Sequence, residues 1–504
     1  MTATSGAPGI GLGEISGRWV LFATVLGSGM ALLDSTVVNV ALPSIARDLD
    51  ASMAGLQWIV NAYTLTLAGF ILLGGSLGDR YGRRRVFVIG VIWFALASAL
   101  CGAAQTVPQL VAARALQGLG GALLTPGSLA IIQATFSPRD RTRAIGAWSG
   151  LGGVAGAVGP FLGGWLVSTA GWRWVFLLNL PLAAVIVLVA ARHVPETRDD
   201  DAHGRFDVLG AALAALALAG ITYALTEAPE GGAVVASTVA AVLGVAAGAG
   251  FVLVERARSA GRGPQPMLPL EVFRSTQFSA VNLITFIVYA GMGVQFFLVV
   301  VHLQVVAGFS PIESGAALLP ITVLLLLLSA RSGALAQRIG PRLPMTIGLI
   351  MAAGGMLLLS RVGRDASYVI DVLPAVTLFA LGLAGVVAPL TATVLATADP
   401  RHAGVASGVN NAVARAAGLL SVAAIPPLAG LTGAAYDSPA RFASGFRTAM
   451  MVAAALLVLG AVLSFRTVRD DVLREAPDEA EPQCKSHCSV AAPPLEPASR
   501  RKAA

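Results

Sequence analysis

Charge is what this 504-residue chain has least of. Asp, Glu, Lys and Arg make up 12% of it and hydrophobic residues 56%, whereas soluble domains carry roughly 25% charged residues. A soluble fold is excluded, because that much apolar surface cannot be hidden inside water-soluble domains. Lysine is almost missing: only Lys485 and Lys502 occur, so the basic residues are nearly all arginine. Three cysteines, Cys101, Cys484 and Cys488, exclude a disulfide framework. The run Cys484-Lys-Ser-His487-Cys488 offers three ligands in a tail, an incomplete shell, so no metal site is expected. No Gly-x4-Gly-Lys-Ser/Thr phosphate loop is present, which argues against direct use of ATP. No basic cluster alternates with exposed aromatics on a soluble segment, so the net charge of +7 implies no nucleic-acid partner.

What the chain does have is apolar runs of about 18 residues or more, each long enough to cross a hydrocarbon core of about 30 Å as a helix. Helices satisfy every backbone donor and acceptor internally, as lipid requires. Fourteen spans are expected, near 18–42, 56–78, 86–104, 108–134, 144–168, 172–191, 208–227, 233–254, 277–302, 314–336, 344–360, 371–396, 403–428 and 446–465. The first run lacks a basic leader and carries Asp34 in its middle, so it reads as a retained helix. Loops leading from even to odd spans hold seventeen Arg and Lys, and the alternating loops hold six. The first set and both termini are therefore expected to face the cytoplasm, with the chain in the cytoplasmic (inner) cell membrane.

The densest charge lies in Gly75-Ser-Leu-Gly78-Asp79-Arg80-Tyr-Gly82-Arg83-Arg84-Arg85, between spans 2 and 3. Its glycines allow a tight turn and close helix approach. Asp79 can meet a helix N-terminus or an arginine, while the arginines sit at the lipid headgroups. Such a charged latch can hold one arrangement of two half-proteins and release in another. A mere positive-inside anchor would need neither the glycines nor Asp79. A weaker copy, Gly333-Ala-Leu-Ala-Gln337-Arg338-Ile-Gly340-Pro341-Arg342, recurs 258 residues later with Gln337 in place of the acid. Duplicated halves in a membrane protein point to a transporter. The layout reads as a tail (1–17), a six-helix bundle (18–191), a linker with two extra helices (192–276), a second six-helix bundle (277–466) and a polar, disordered tail (467–504). The acid-rich stretch from Glu196 to Asp207 reads as a solvated linker.

The loop at 75–85 resembles the signature loop of the major facilitator superfamily. Ala113-Arg114-Ala-Leu-Gln117-Gly118-Leu-Gly120-Gly121-Ala122 is similar to its fourth-helix motif. Leu33-Asp34-Ser-Thr36-Val-Val-Asn39-Val-Ala41-Leu42-Pro43 and Trp172-Arg173-Trp174-Val-Phe176-Leu-Leu-Asn179-Leu-Pro181 are similar to patterns of its fourteen-span drug:proton antiporter branch. The resemblance covers essentially 18–465. It implies an all-α membrane fold of two six-helix bundles around a central cavity that opens alternately to each side.

Asp34 is the one acid deep inside an expected span, a costly position that by default is functional. It lies about eight residues from the outer end of span 1, and Arg114 about six from that of span 4, depths of roughly 12 and 9 Å. The two can pair if their helices are neighbours. Burial disfavours a charged carboxylate and an adjacent arginine favours it, so parting them changes the site's proton affinity. A static buried ion pair is the plainer alternative.

In span 5, residues 152/156/160/164 and 155/159/163 form two columns of small residues plus proline: Gly152, Gly156, Pro160 and Gly164 in one, Ala155, Gly159 and Gly163 in the other. Pro160 weakens the helix locally. The stretch resembles the fifth-helix motif of antiporters, with Ala155 where that motif has glycine. Candidate cavity residues are Gln57, Asn61, Tyr63, Gln117, Trp148, Asn282, Tyr289 and Gln295, each alternatively glue between helices. Arg415, placed in the outer half of span 13 with Asn410 and Asn411 nearby, could line a polar cavity or bind an anionic group. Relatives that export dications carry extra acids in this region, so the two asparagines count against a preference for cationic drugs. His302 reads as interfacial, and Arg331 as snorkelling to the cytoplasmic side.

The function these readings favour is proton-driven export of drug-like molecules, with Asp34 carrying the proton, Arg114 tuning it and the loop at 75–85 latching the outward-facing state. The expected partners are a small-molecule substrate, protons and the bilayer, with no cofactor and no obligatory protein partner. Uptake or facilitated diffusion is an alternative, against which the glycine columns count. An enzyme acting on lipid-linked substrates would need acid or His clusters at a membrane face.

Overall fold

The computed structural model describes residues 10–198, 207–230, 234–259, 268, 270–397, 403–433 and 438–473. The tail from 474, with Cys484, His487 and Cys488, and most of the stretch between Glu196 and Asp207 lie outside them.

The helical rods are α1 (Ile15–Leu49), α2 (Met53–Tyr81), α3 (Arg83–Ala103), α4 (Val107–Thr135), α5 (Pro138–Thr169), α6 (Arg173–His193), α7 (Val208–Glu227), α8 (Val234–Ser259), α9 (Thr276–Val305), α10 (Pro311–Ile339), α11 (Arg342–Leu359), α12 (Tyr368–Ala396), α13 (Ala403–Leu428) and α14 (Pro439–Thr467). Among the described residues, twelve helices are long and apolar enough to cross a membrane. The bent α2, with arms at 49° to each other, makes thirteen, and the apolar part of α5 is the shorter Val154–Thr169. Fourteen spans are compatible with this, since each expected run coincides with one rod. The rods begin where caps place them rather than where apolar residues begin. Thus α14 starts at Pro439, with the Ser438 hydroxyl accepting from the Arg441 amide, well ahead of the apolar run at 446. Ser310 and Glu313 form a reciprocal capping box at α10.

The same helix pairs touch in the two sets of six. α1 packs on α5, α2 and α3 on α4, and α3 on α6; α9 packs on α13, α10 and α11 on α12, and α11 on α14. The extra pair sits outside: α7 lies against both α2 and α13, and α8 packs mainly on α7. The Trp58 indole donates to Glu227 at 2.7 Å, pinning the end of α7 to α2.

At the end away from the 75–85 loop the two sets close on each other. The Gln57 amide donates to the Val422 carbonyl at 2.7 Å and Gln304 to Val40 at 3.0 Å. Gly164 of α5 lies on Pro311 and Ile312 of α10, and Gly315 lies on the Pro160 carbonyl. At that same end Asp48 accepts from the Trp172 indole (2.9 Å) and Arg173 (2.7 Å), which gives the Trp172-Arg173 pair a structural task.

A second acid is buried, though at the end of a helix and not deep in a span. Glu255 is fully buried near the end of α8, which continues to Ser259 past the expected end at 254. There Arg258 pairs with Asp207, and Glu255 accepts from the Leu268 amide at 2.8 Å. The acids at the two ends of the linker have partners: Asp207 in that pair, and the exposed Glu196 on the amides of Arg84 and Arg85 at 3.1 and 3.2 Å. His302, in the last turn of α9, is 1% exposed, because that turn tucks under α14. Its ring stacks on Phe446 at 3.8 Å, and Nε2 meets the Val362 carbonyl at 2.9 Å.

Candidate functional site

On α1 the buried positions Gly27, Ala31, Asp34, Val37, Val38 and Ala41 recur at helical spacing, which turns Asp34 inward. On α4, Arg114 and Gln117 stand one turn apart on a shared face. The glycines after them bring the neighbours close: a Cβ at Gly118 would collide with the Tyr63 carbonyl of α2, and one at Gly120 with the Phe94 backbone of α3.

The two charges meet inside this packing. Arg114 Nη1 donates to Asp34 Oδ2 at 2.6 Å, and the side chains are 1% and 0% exposed. Asp34 Oδ1 accepts from Gln117 Nε2 at 2.8 Å and Asn179 Nδ2 at 2.9 Å. Ser98 Oγ accepts from the same two amides and donates to the Phe176 carbonyl at 2.8 Å. Arg114 Nε donates to the Ile59 carbonyl at 3.1 Å. Five helices, α1, α2, α3, α4 and α6, thus converge on one carboxylate. Removing one partner of such a buried pair costs about 3–5 kcal/mol, because the other charge is left uncompensated.

Gln117 therefore belongs to the carboxylate network and not to the cavity, a correction of its expected place. Asn179 and Ser98 were missed as site residues. The pattern around Trp172 contained Asn179, but nothing in the sequence marked its target.

Tyr63 joins this network to open space. Its ring lies 4.3 Å beneath the Arg114 guanidinium. It also lines a cavity of about 240 Å³ together with Ser28 and Ser35 of α1, Thr125 of α4, Trp148 of α5, and Asn411 and Arg415 of α13. Both sets of six helices contribute. Trp148 donates to Ser28 Oγ at 3.1 Å. Arg415 stands near the middle of α13. A larger groove of about 900 Å³ beside α10 and α12 is almost wholly apolar, and its one charge, Glu313, is occupied in capping α10.

The other cavity candidates lie elsewhere. Gln57 bridges α2 and α13. Asn410 donates to Asn282 (3.3 Å) and Thr285 (2.8 Å), tying α13 to α9. Tyr289 packs against the hydrophobic core. Asn61 and Gln295 are buried and make no hydrogen bonds among the described residues. Gln57, Asn282 and Asn410 thus join helices, because an amide in a span looks the same in sequence whichever neighbour it faces.

In the loop, Asp79 pairs with Arg83 at 2.8 Å across Gly82, whose φ of +108° suits glycine. Glu196 occupies the N-terminus of α3. Gly75 faces Pro126 of α4, and Gly78 faces the Arg83 backbone. Arg80 stacks on Tyr81. The second copy repeats the geometry: Gly340 has φ +91° and Asp470 presses against it. In α5, Gly156, Gly159 and Gly163 face Leu32, Thr36 and Val37 of α1, whereas Pro160 and Gly164 face α10. The expected column 152/156/160/164 is therefore split between two neighbours; the surroundings of Gly152 lie outside the described residues.

A family model described as Major Facilitator Superfamily matches residues 24–422. The chain belongs to this superfamily. Among its superfamily relatives, a tetracenomycin C resistance and export protein of Streptomyces glaucescens is 37% identical over 80% of this chain and 74% of its own length. A puromycin resistance protein of Streptomyces alboniger is 35% identical, covering 92% of this chain and 93% of its own. A methylenomycin A resistance protein of Streptomyces coelicolor is 31% identical, with 94% and 97% covered. Solved structures share the fold. A bacterial Spinster homologue in an inward-facing conformation gives a TM-score of 0.63 at 18% identity, over 92% of this chain and 99% of that one. A peptide transporter of the POT family gives 0.66 at 17%, over 92% and 97%. This superfamily chain is a multi-pass membrane transporter.

Proposed function

We propose that this transporter exports drug-like small molecules across the cytoplasmic membrane in exchange for protons, by alternating access. Kinship with tetracenomycin, puromycin and methylenomycin resistance proteins supports the drug-like substrate. The arginine asymmetry of the loops supports a cytoplasmic placement of both termini and of the 75–85 loop.

The observation that carries proton coupling is the fully buried Asp34 with three donors on its two oxygens. In this arrangement its negative charge is satisfied. A proton arriving there removes that charge and leaves the Arg114 guanidinium without its counterion in a low-dielectric site, which is strongly unfavourable. The helices relieve that imbalance by moving Arg114, and the Tyr63 ring stacked on it carries the displacement to the cavity wall. Protonation and cavity shape are then two readings of one equilibrium. With the end away from the termini closed, the arrangement corresponds to the inward-facing state, and Asp79 turned onto Arg83 corresponds to a released latch. No cofactor and no protein partner enters the scheme; the proton gradient supplies the energy.

The test expresses wild type and Asp34→Asn in a drug-sensitive strain and follows dye efflux with and without a proton gradient. Wild-type efflux should stop when the gradient collapses, and Asp34→Asn should lose gradient-driven efflux at least about tenfold, one lost charge-assisted interaction. Efflux that survived both treatments would show the mechanism to be wrong.

A further inference from the structure

The cavity carries one charge that no described residue pairs with. Asp34 is already neutralised by Arg114 at 2.6 Å and walled off by the Tyr63 ring. Arg415, on the opposite wall, has no ion pair and no hydrogen bond among the described residues, and no carboxylate lines the space around it. Within a membrane span an arginine without a counterion is costly, and such residues mark substrate or ion pathways. Its guanidinium offers five donors in a fork matched to a carboxylate or similar oxyanion.

The neighbouring polar groups are largely committed. The Trp148 indole is spent on Ser28, the Ser35 hydroxyl on the Leu32 carbonyl, and the Asn411 amide donor on the Ser407 carbonyl. What remains for a ligand is the free guanidinium, with the Thr125 hydroxyl and the Asn411 carbonyl oxygen as neutral polar neighbours, beside the aromatic rings of Trp148 and Tyr63. A cationic molecule would meet an uncompensated positive charge and no available carboxylate. An unpaired like charge is a strong means of rejecting the wrong partner.

From this we infer that the transported molecules are acidic amphipathic compounds: an anionic carboxylate, enolate or phenolate group docks on Arg415, and an aromatic body lies between Trp148 and Tyr63. The inference rests on the export reading for the location of the transport site. The volume of about 240 Å³ falls a little under the roughly 300–1,000 Å³ usual for small-molecule sites. It accommodates the anionic end of such a compound while the helices part around the remainder.

The experiment measures equilibrium binding to the purified full chain in lipid nanodiscs. Three matched probes are used: 9-anthracenecarboxylate, its neutral amide, and the cationic 9-anthracenemethylamine. Wild type should bind the acid at least about tenfold more tightly than the amide, the worth of one charge-assisted pair, and should bind the amine most weakly. Arg415→Gln should erase the preference for the acid, and Arg415→Lys should keep part of it. Monodisperse elution of the variants reports that they are folded; should Arg415→Gln fail to fold, the wild-type ranking and the Lys variant decide. A wild-type preference for the amine or amide, no binding of the acid at millimolar concentration, or an acid preference that survives in Arg415→Gln would each overturn the inference. Asp34→Asn, measured alongside, separates the two readings. If acid binding depends on Arg415 while Asp34→Asn still exports, proton coupling fails and the substrate class stands; the reverse pattern leaves coupling intact and removes the substrate class.

Discussion

Adding a single methyl group at Gly164 should tilt the balance between the two faces of this transporter. A Cβ there would lie 2.5 Å from the Pro311 carbonyl oxygen and 2.6 Å from Ile312 Cα, whereas ordinary contacts begin near 3.4 Å. Both obstacles are backbone atoms at the start of α10, so neither can swing aside as a side chain would. Relief requires α5 and α10 to separate by about 0.9 Å, and overpacking of this kind typically costs about 1–3 kcal/mol. At about 1.4 kcal/mol per tenfold, Gly164→Ala should shift the population roughly 5- to 150-fold away from the state closed at this end. The state open at this end is spared, because there the glycine face has left its neighbour. Spin labels at Ser168 and Val369, on exposed positions of α5 and α12, would report the separation of the two bundles by pulsed electron resonance. The matched control is Gly156→Ala, whose methyl would meet only the mobile Leu32 Cδ2, at 3.0 Å and within one bundle. A longer distance population in Gly164→Ala alone is the expected result. Identical distributions in wild type and Gly164→Ala, or equal shifts in both variants, would refute the argument.

The two loop copies should respond unequally to substitution. Asp79→Asn, which removes the charge paired with Arg83, should reduce transport severalfold, while Gln337→Ala, at an exposed position, should leave rates near wild type; equal effects in an efflux assay would reduce both loops to topological anchors. At the periphery, Glu227→Gln should weaken the hydrogen bond from Trp58 by about 1 kcal/mol and lower the thermal midpoint in detergent, with efflux retained. Loss of efflux without loss of stability would instead give α7 a part in the transport cycle.

Much of the fold was legible because the bilayer imposes it: long apolar runs must be helices, and the duplicated glycine-arginine loop exposed the repeat. The Asp34–Arg114 pair was legible from depth as a possibility that required neighbouring helices, and α1 does lie against α4. Its supporting shell was not. Gln117 has the same composition and spacing whether it faces a cavity or a carboxylate, and only the rotation of α4 about its axis, set by glycine contacts with α2 and α3, decides between them. The small-residue columns of α5 failed for the same reason. Helical spacing tells which residues share a face, but not that Gly156 meets α1 while Gly164, about two turns further on in the same column, meets the other bundle. Glu255 escaped because hydropathy ended α8 before its last turn, where Asp207 and Arg258 make a buried acid tolerable.

The contacts at Gly82 and Gly340 tie the far end of each bundle back to its beginning. Glu196 and Asp470 each stand three residues beyond the last residue of a bundle's sixth helix, His193 and Thr467, and each returns to the glycine turn between that bundle's second and third helices. The Thr197 carbonyl completes the first of these contacts by accepting from the Arg83 amide at 2.8 Å. Each six-helix unit therefore extends past its apolar runs: a short hem beyond the sixth helix closes back on the turn between the second and third.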